Sequence, residues 1–281
     1  MARSIPGFQL FEYADGTITH TVYRKGGGRA VLLMHELPGM TPACIVWAEE
    51  IAAAGFTVFM PLLFGEPYDD KGFLFVAQLC ISREFDLFAN GGGSPIVTWL
   101  RALGRHAHQE CGGAGVGAVG MCLTGNFAIA LMADEVVLAP VASQPALPLT
   151  AALPLVGDIA ASSHEALAMT PEDLAAAKLR ASKGVKIMCL RFSNDSVSPV
   201  ERFDAMQKAF GTSFVPFLLG SEKGIDSSPG NAYGLPPRAH SVLTGEYRAD
   251  EPNHPSRLAR NAVIAFLLER LGPAAHVKLK D

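Results

Sequence analysis

The residues of this chain that could do chemistry begin with Cys122, which stands in the stretch VGAVGMCLTGNFAIAL, residues 116–131. An apolar run, 116–121, ends at the cysteine, and a second apolar run can wind as a helix from Asn126. This reads as strand, sharp turn and helix, with a thiol at the turn. Such an elbow lifts a nucleophile above the edge of a sheet, usually in the pattern G-x-nucleophile-x-G. Gly120 fits the first glycine, Thr124 stands at the second, and Gly125 comes one residue late. The bulkier Thr124 is expected to distort the turn. The competing use of Cys122 is packing, since free cysteine is among the most often buried residue types.

Three further polar positions follow apolar strands. Glu36 lies past 30–34, Asp195 past 186–192, and His240 past 213–219. In open α/β sheets the site lies beyond the C-terminal ends of the strands. The order Cys122, Asp195, His240 is the nucleophile–acid–base order of α/β-hydrolases. A thiol attacks an acyl carbon as its thiolate, which a helix N-terminus and a neighbouring imidazolium favour. His240 would take or hold that proton, and Asp195 would orient the ring and offset its charge. The backbone N–H groups of Leu37 and Leu123 are the expected oxyanion donors. Asn194 is the neighbour that could replace Asp195, and His254 is the rival of His240. His35 reads as a hydrogen-bonded neighbour of Glu36, with a metal pair to His240 as the minor alternative.

The elements that must position these groups alternate between strand and helix. Residues 8–13 and 17–23 flank Ala14-Asp15-Gly16 and predict a β-hairpin. Strands are expected at 30–34, 56–60, 116–121, 135–141, 186–192 and 213–219, and helices at 41–54, 73–88, 95–108, 170–182, 199–210 and 257–271. Short links between apolar strands imply right-handed parallel crossovers. The expected fold is α/β: a mostly parallel sheet with helices on both faces, an N-terminal hairpin, and one domain over 1–281. The Pro- and Gly-rich loop 220–238 is expected to form a lid or rim.

Composition removes several classes. A net charge of −4 leaves no basic footprint for nucleic acid. No apolar run reaches the length of a membrane span, and MARSIPGFQL lacks the apolar core of a signal peptide. The five cysteines are scattered, with no C-x-x-C. They suggest a reducing cytoplasm and neither a disulfide framework nor a zinc site, and Cys44, Cys80, Cys111 and Cys189 read as packing residues. The glycines at 91–93 and 112–115 lack the spacing of a nucleotide-binding loop.

The chain resembles the dienelactone hydrolases (carboxymethylenebutenolidases) of the α/β-hydrolase superfamily. The residues that carry the resemblance are His35-Glu36-Leu37-Pro38-Gly39, Gly120-Met121-Cys122-Leu123-Thr124-Gly125, Asn194-Asp195 and Ala239-His240-Ser241. The resemblance implies a Cys-His-Asp triad, a thioester acyl-enzyme, no cofactor, no metal, and a small ester or lactone as substrate. It also implies that Glu36 restrains the resting thiol and exchanges partners when substrate binds. Archetypal members carry an Arg shortly after the histidine, whereas here the next arginine is Arg248. Arg83 lies near the place of a second carboxylate-binding arginine and is the weak candidate for substrate binding. The alternative reading is a ligand-binding or redox-sensing protein that keeps the scaffold without turnover.

Overall fold

A computed structural model describes residues 2–68, 94–146, 167, 169–220, 233, 235–236 and 239–272. Two strands, β1 (Gln9–Asp15) and β2 (Ile18–Gly26), form the expected hairpin, closing with Asp15 opposite Ile18. They are followed by β3 (Arg29–Met34), helix α1 (Pro42–Ala53) and β4 (Phe56–Pro61). Thr41 caps α1 by accepting from the Cys44 N–H, and Pro42 fills a first-turn position where no N–H is needed. Helix α2 (Pro95–Cys111) leads to β5 (Val116–Met121), a 3₁₀ turn (Cys122–Thr124) and helix α3 (Gly125–Leu131). Next come β6 (Val137–Ser143), α4 (Pro171–Ser182), β7 (Ile187–Phe192), α5 (Val200–Phe210), β8 (Phe214–Leu219) and α6 (Pro255–Leu271).

The eight strands lie in the order β1-β2-β4-β3-β5-β6-β7-β8. The pairs β1/β2 and β2/β4 are antiparallel, and every pair from β4/β3 onward is parallel. Period-two alternation divides the core cleanly. Along β3, Ala30, Leu32 and Met34 pack with residues of α2 and α3, while Val31 and Leu33 pack with Trp47 of α1 and Val263 of α6. Both faces of the sheet are therefore covered, which explains the near-continuous apolar strands.

Strand β6 differs from expectation. It begins two residues later and ends two later than 135–141, because the Asp134 carboxylate accepts from the Val136 N–H and its carbonyl accepts from the Val137 N–H. That turn delays the strand, and the shift carries Ser143 to the sheet edge beside the elbow. The expected helix 73–88, with Cys80 and Arg83, lies outside the described residues, as does most of the loop 220–238.

Candidate active site

Cys122 is the first residue past β5, with φ at 55°. An L-residue adopts this left-handed region at a cost of about 1–3 kcal/mol, and such outliers gather at functional turns. Gly120 is needed because a Cβ there would sit 2.1 Å from the Thr124 carbonyl oxygen, where the helix backbone folds back on the strand. Gly125 makes a second close approach, since its Cβ would meet Pro145 at 3.0 Å.

Thr124 does not distort the elbow as its size suggests. It is fully buried, and its hydroxyl accepts from the Met121 N–H at 2.9 Å. Its one proton is shared between the carbonyls of Met34 and Met121, at 3.0 and 2.9 Å. The side chain thus ties the turn to the end of β3. On the other flank the Ala146 N–H bonds the Cys122 carbonyl at 3.1 Å. Buried Asn126 donates to the carbonyls of Leu123 and Ala146, and the Arg202 guanidinium bonds its amide oxygen.

His240 reaches this point from the far end of the chain. Its Nδ1 lies 2.7 Å from Asp195 Oδ2. The other oxygen, Oδ1, accepts from the N–H groups of Val197 and Ser198 at 2.9 and 3.1 Å. With Nδ1 on the carboxylate, the remaining nitrogen, Nε2, is buried and has no hydrogen-bond partner within ordinary distance among the described residues. Cys122 lies near enough to the ring to interact with it electrostatically. Burial alone would lower the basicity of the ring, but Asp195 and Cys122 together raise it well above the ordinary imidazole value. The N–H groups of Leu37 and Leu123, expected as oxyanion donors, have no acceptor among the described residues. His254, the rival, serves instead as the N-cap of α6, its Nδ1 accepting from the Ser256 N–H.

Glu36 is 4% exposed and is placed differently from the expectation that it restrains the thiol. Oε2 accepts from Gln144 Nε2 at 2.9 Å and from the Ser241 hydroxyl at 3.1 Å, and Oε1 accepts from the Thr244 hydroxyl. Cys122 is not among its hydrogen-bond partners. Burial pushes the Glu36 carboxyl upward, against the pull of the Thr244 bond, the nearby His240 and the Ser241 and Gln144 bonds. Its neighbour His35 sits wholly inside the protein, with Nδ1 on the Glu36 carbonyl and Nε2 accepting from the Leu63 N–H at 3.1 Å. Burial lowers the His35 pKa to about 4, so the ring is neutral at ordinary pH and acts as a strut for this loop.

Two arginines that no sequence pattern marked hold the loops of Asp195 and His240. Arg191, in β7, donates to the carbonyls of Ser193, Asp195 and Ser198 and so wraps the Asp195 loop around its guanidinium. Arg260, in α6, donates twice to the Leu243 carbonyl, pairs with Glu50 at 2.7 Å, and stacks on Trp47 and Tyr247. Arg248, the first arginine after the histidine, bonds the carbonyls of Gly245 and Tyr247 in its own loop. Arg83 lies outside the described residues. Among the described residues no cluster of three metal-ligating side chains occurs, and no helix is long and apolar enough to cross a membrane.

Strand order, crossovers and elbow together define the α/β-hydrolase fold, and solved structures share it. A dienelactone hydrolase from Anabaena variabilis matches 94% of this chain and 99% of its own, with a TM-score of 0.58 at 14% identity. A dienelactone hydrolase-like promiscuous phosphotriesterase from metagenomic libraries matches 94% of this chain and 98% of its own, with a TM-score of 0.57 at 15% identity. The 2,6-dihydroxy-pseudo-oxynicotine hydrolase matches 96% of this chain and 70% of its own, with a TM-score of 0.58 at 14% identity. No family model matches the chain, and no curated protein does. At such identities the shared property is the fold, and chemistry resides in the site grafted on it.

Proposed function

We propose that this protein is a hydrolase of small carboxylic esters or lactones that works through an acyl-enzyme on Cys122. The observation that carries the reading is a constellation. A cysteine in a left-handed elbow neighbours an imidazole whose far nitrogen is fixed, 2.7 Å from a buried carboxylate. The fold shared with dienelactone hydrolases supports the same chemistry. The Cys122 thiolate attacks the acyl carbon while His240 holds the proton as imidazolium. Leu37 and Leu123 N–H groups receive the negative oxygen, and losing one such donor costs roughly 3–4 kcal/mol of barrier. His240 then delivers its proton to the leaving alkoxide, which in a lactone stays tethered to the acyl group. Water, deprotonated by His240, cleaves the thioester and restores the thiol. Asp195 keeps the ring oriented throughout and offsets its charge. The steps call on no cofactor, and a reducing cytoplasm would keep the thiol competent.

Mixing the protein with p-nitrophenyl acetate tests the reading. The expected result is a burst of p-nitrophenolate, an acetyl adduct on the Cys122 peptide by mass spectrometry, and steady turnover. Cys122→Ala should lower turnover by a factor of roughly 10³ or more, since members of such a unit fail together. A Cys122→Ala variant as fast as the parent, or adduct formation without turnover, overturns it; the second outcome marks a binding or redox-sensing protein.

A further inference from the structure

The strand-end sequence Ser143-Gln144-Pro145 belongs to no motif, yet its middle residue is fully buried at the centre of the site. Gln144 has φ at 34°, again in the left-handed region, and its N–H bonds the Leu190 carbonyl at 2.6 Å. Its amide is bonded at both ends. The oxygen accepts from the Ser143 hydroxyl, which fixes the orientation of the amide, and the nitrogen donates to Glu36 Oε2. Glu36 in turn receives Ser241 and Thr244, which lie one and four residues past His240. Three segments therefore meet on one carboxylate: the loop after β3, the turn after β6 and the loop that carries the base. Among the described residues the titratable groups that bear on this carboxylate are His240, Glu246 and the buried Cys44 thiol.

A carboxylate with three donors on its two oxygens is already well solvated by the protein, and turning toward Cys122 would strip away those bonds. We propose that Gln144 is a positioning residue: with Ser241 and Thr244 it holds the Glu36 carboxylate against the His240 loop and away from Cys122, so the thiol and the imidazole are paired before substrate arrives. The inference rests on the hydrolase reading above, and it differs from a gate in which Glu36 restrains the resting thiol.

The experiment is the rate of Cys122 alkylation by iodoacetamide in the resting protein, followed by mass spectrometry. Wild type should react, and Glu36→Gln should react no faster. Gln144→Leu removes a donor and frees Glu36 to swing. Its rate should fall about tenfold, the equivalent of one hydrogen bond. Adding Glu36→Gln on that background should restore the rate, because the freed carboxylate is then gone. A purely structural role for Gln144 would leave the double variant as slow as the single one. Where Gln144→Leu fails to fold, Ser241→Ala removes a donor to the same oxygen and carries the same expectation. Faster alkylation in Glu36→Gln, or no rescue in the double variant, overturns the inference. His240→Ala separates it from the hydrolase reading: alkylation that ignores this change sinks that reading instead.

Discussion

The contacts that fix Cys122 differ in kind from those that fix His240 and Asp195. Around the cysteine they are uncharged: a strained backbone, two glycines pressed against neighbouring backbone, and the Thr124 hydroxyl bridging β5 and β3. Among the described residues the charged Arg202 reaches the elbow through the amide oxygen of Asn126. Around Asp195 and His240 the fixing groups are buried guanidiniums, Arg191 on three carbonyls and Arg260 on Leu243. The difference follows from where each group stands. The elbow grows directly out of a central strand, so close packing suffices to aim the sulfur. Asp195 sits on a loop, and His240 lies far along the chain from any strand that would pin it. A planar fork with five donors can gather several carbonyls of such loops at once.

Close packing around the elbow is tightest at Gly120. Gly120→Ala places a methyl where the Thr124 carbonyl lies, and backbone cannot yield as a side-chain tip can. The expected cost is about 3 kcal/mol or more, read as a lowered Tm, together with loss of the p-nitrophenolate burst. A variant with the parent's burst would mean that close packing does not aim the sulfur.

On the charged side, Arg191→Met keeps the bulk and removes the donors. Three carbonyls lose a charged partner, and the acid loop should loosen at a cost of roughly 2–3 kcal/mol. With Asp195 no longer held, the His240 ring should titrate closer to its ordinary value, which NMR of the imidazole resonances can follow. Cys122 should keep its place, so its alkylation should fall only as far as its dependence on His240 requires. If the His240 titration is unmoved, Arg191 does not position the acid.

The same division explains what is legible in the chain alone. Apolar runs and their stop signals mark the strands, and positions just past strand ends mark Cys122, Asp195 and Glu36, because strand position is a local property; His240 follows the last strand only in chain order, across a long loop. The partners of those residues are not local. Gln144 is 108 residues from Glu36, and Thr244 is 208 away. Arg191 and Arg260 look like ordinary members of a strand and a helix. Size alone misleads at Thr124; its hydroxyl reaches back only three residues to Met121, so the local part of that network is within reach of the sequence. His254 is separable from His240 by its Pro255, a first-turn residue that marks a helix cap.

The smallest effect near neutral pH, and the one that sharpens the contrast, concerns the two buried histidines. Asp195 and Cys122 raise the affinity of His240 for its proton, whereas burial lowers the pKa of His35 from 6.5 to about 4. The signs are therefore opposite. His240 contributes stability that is present below pH 6.5 and is lost as pH rises through its raised value. His35 contributes nothing above 6.5, and below it the unfolded chain takes the proton first, so stability falls until the folded ring also protonates. The loss amounts to roughly 3 kcal/mol near pH 4, at about 1.36 kcal/mol for each pH unit that separates the folded ring from the unfolded one. His35→Gln can keep an acceptor for the Leu63 N–H but cannot titrate. Denaturant unfolding should find parent and variant alike in pH dependence above 6.5, and the variant progressively less acid-sensitive below it. Parallel curves down to pH 4 would show that the His35 ring takes its proton in the folded loop, and that the uncharged side of the site is not as dry as its contacts indicate.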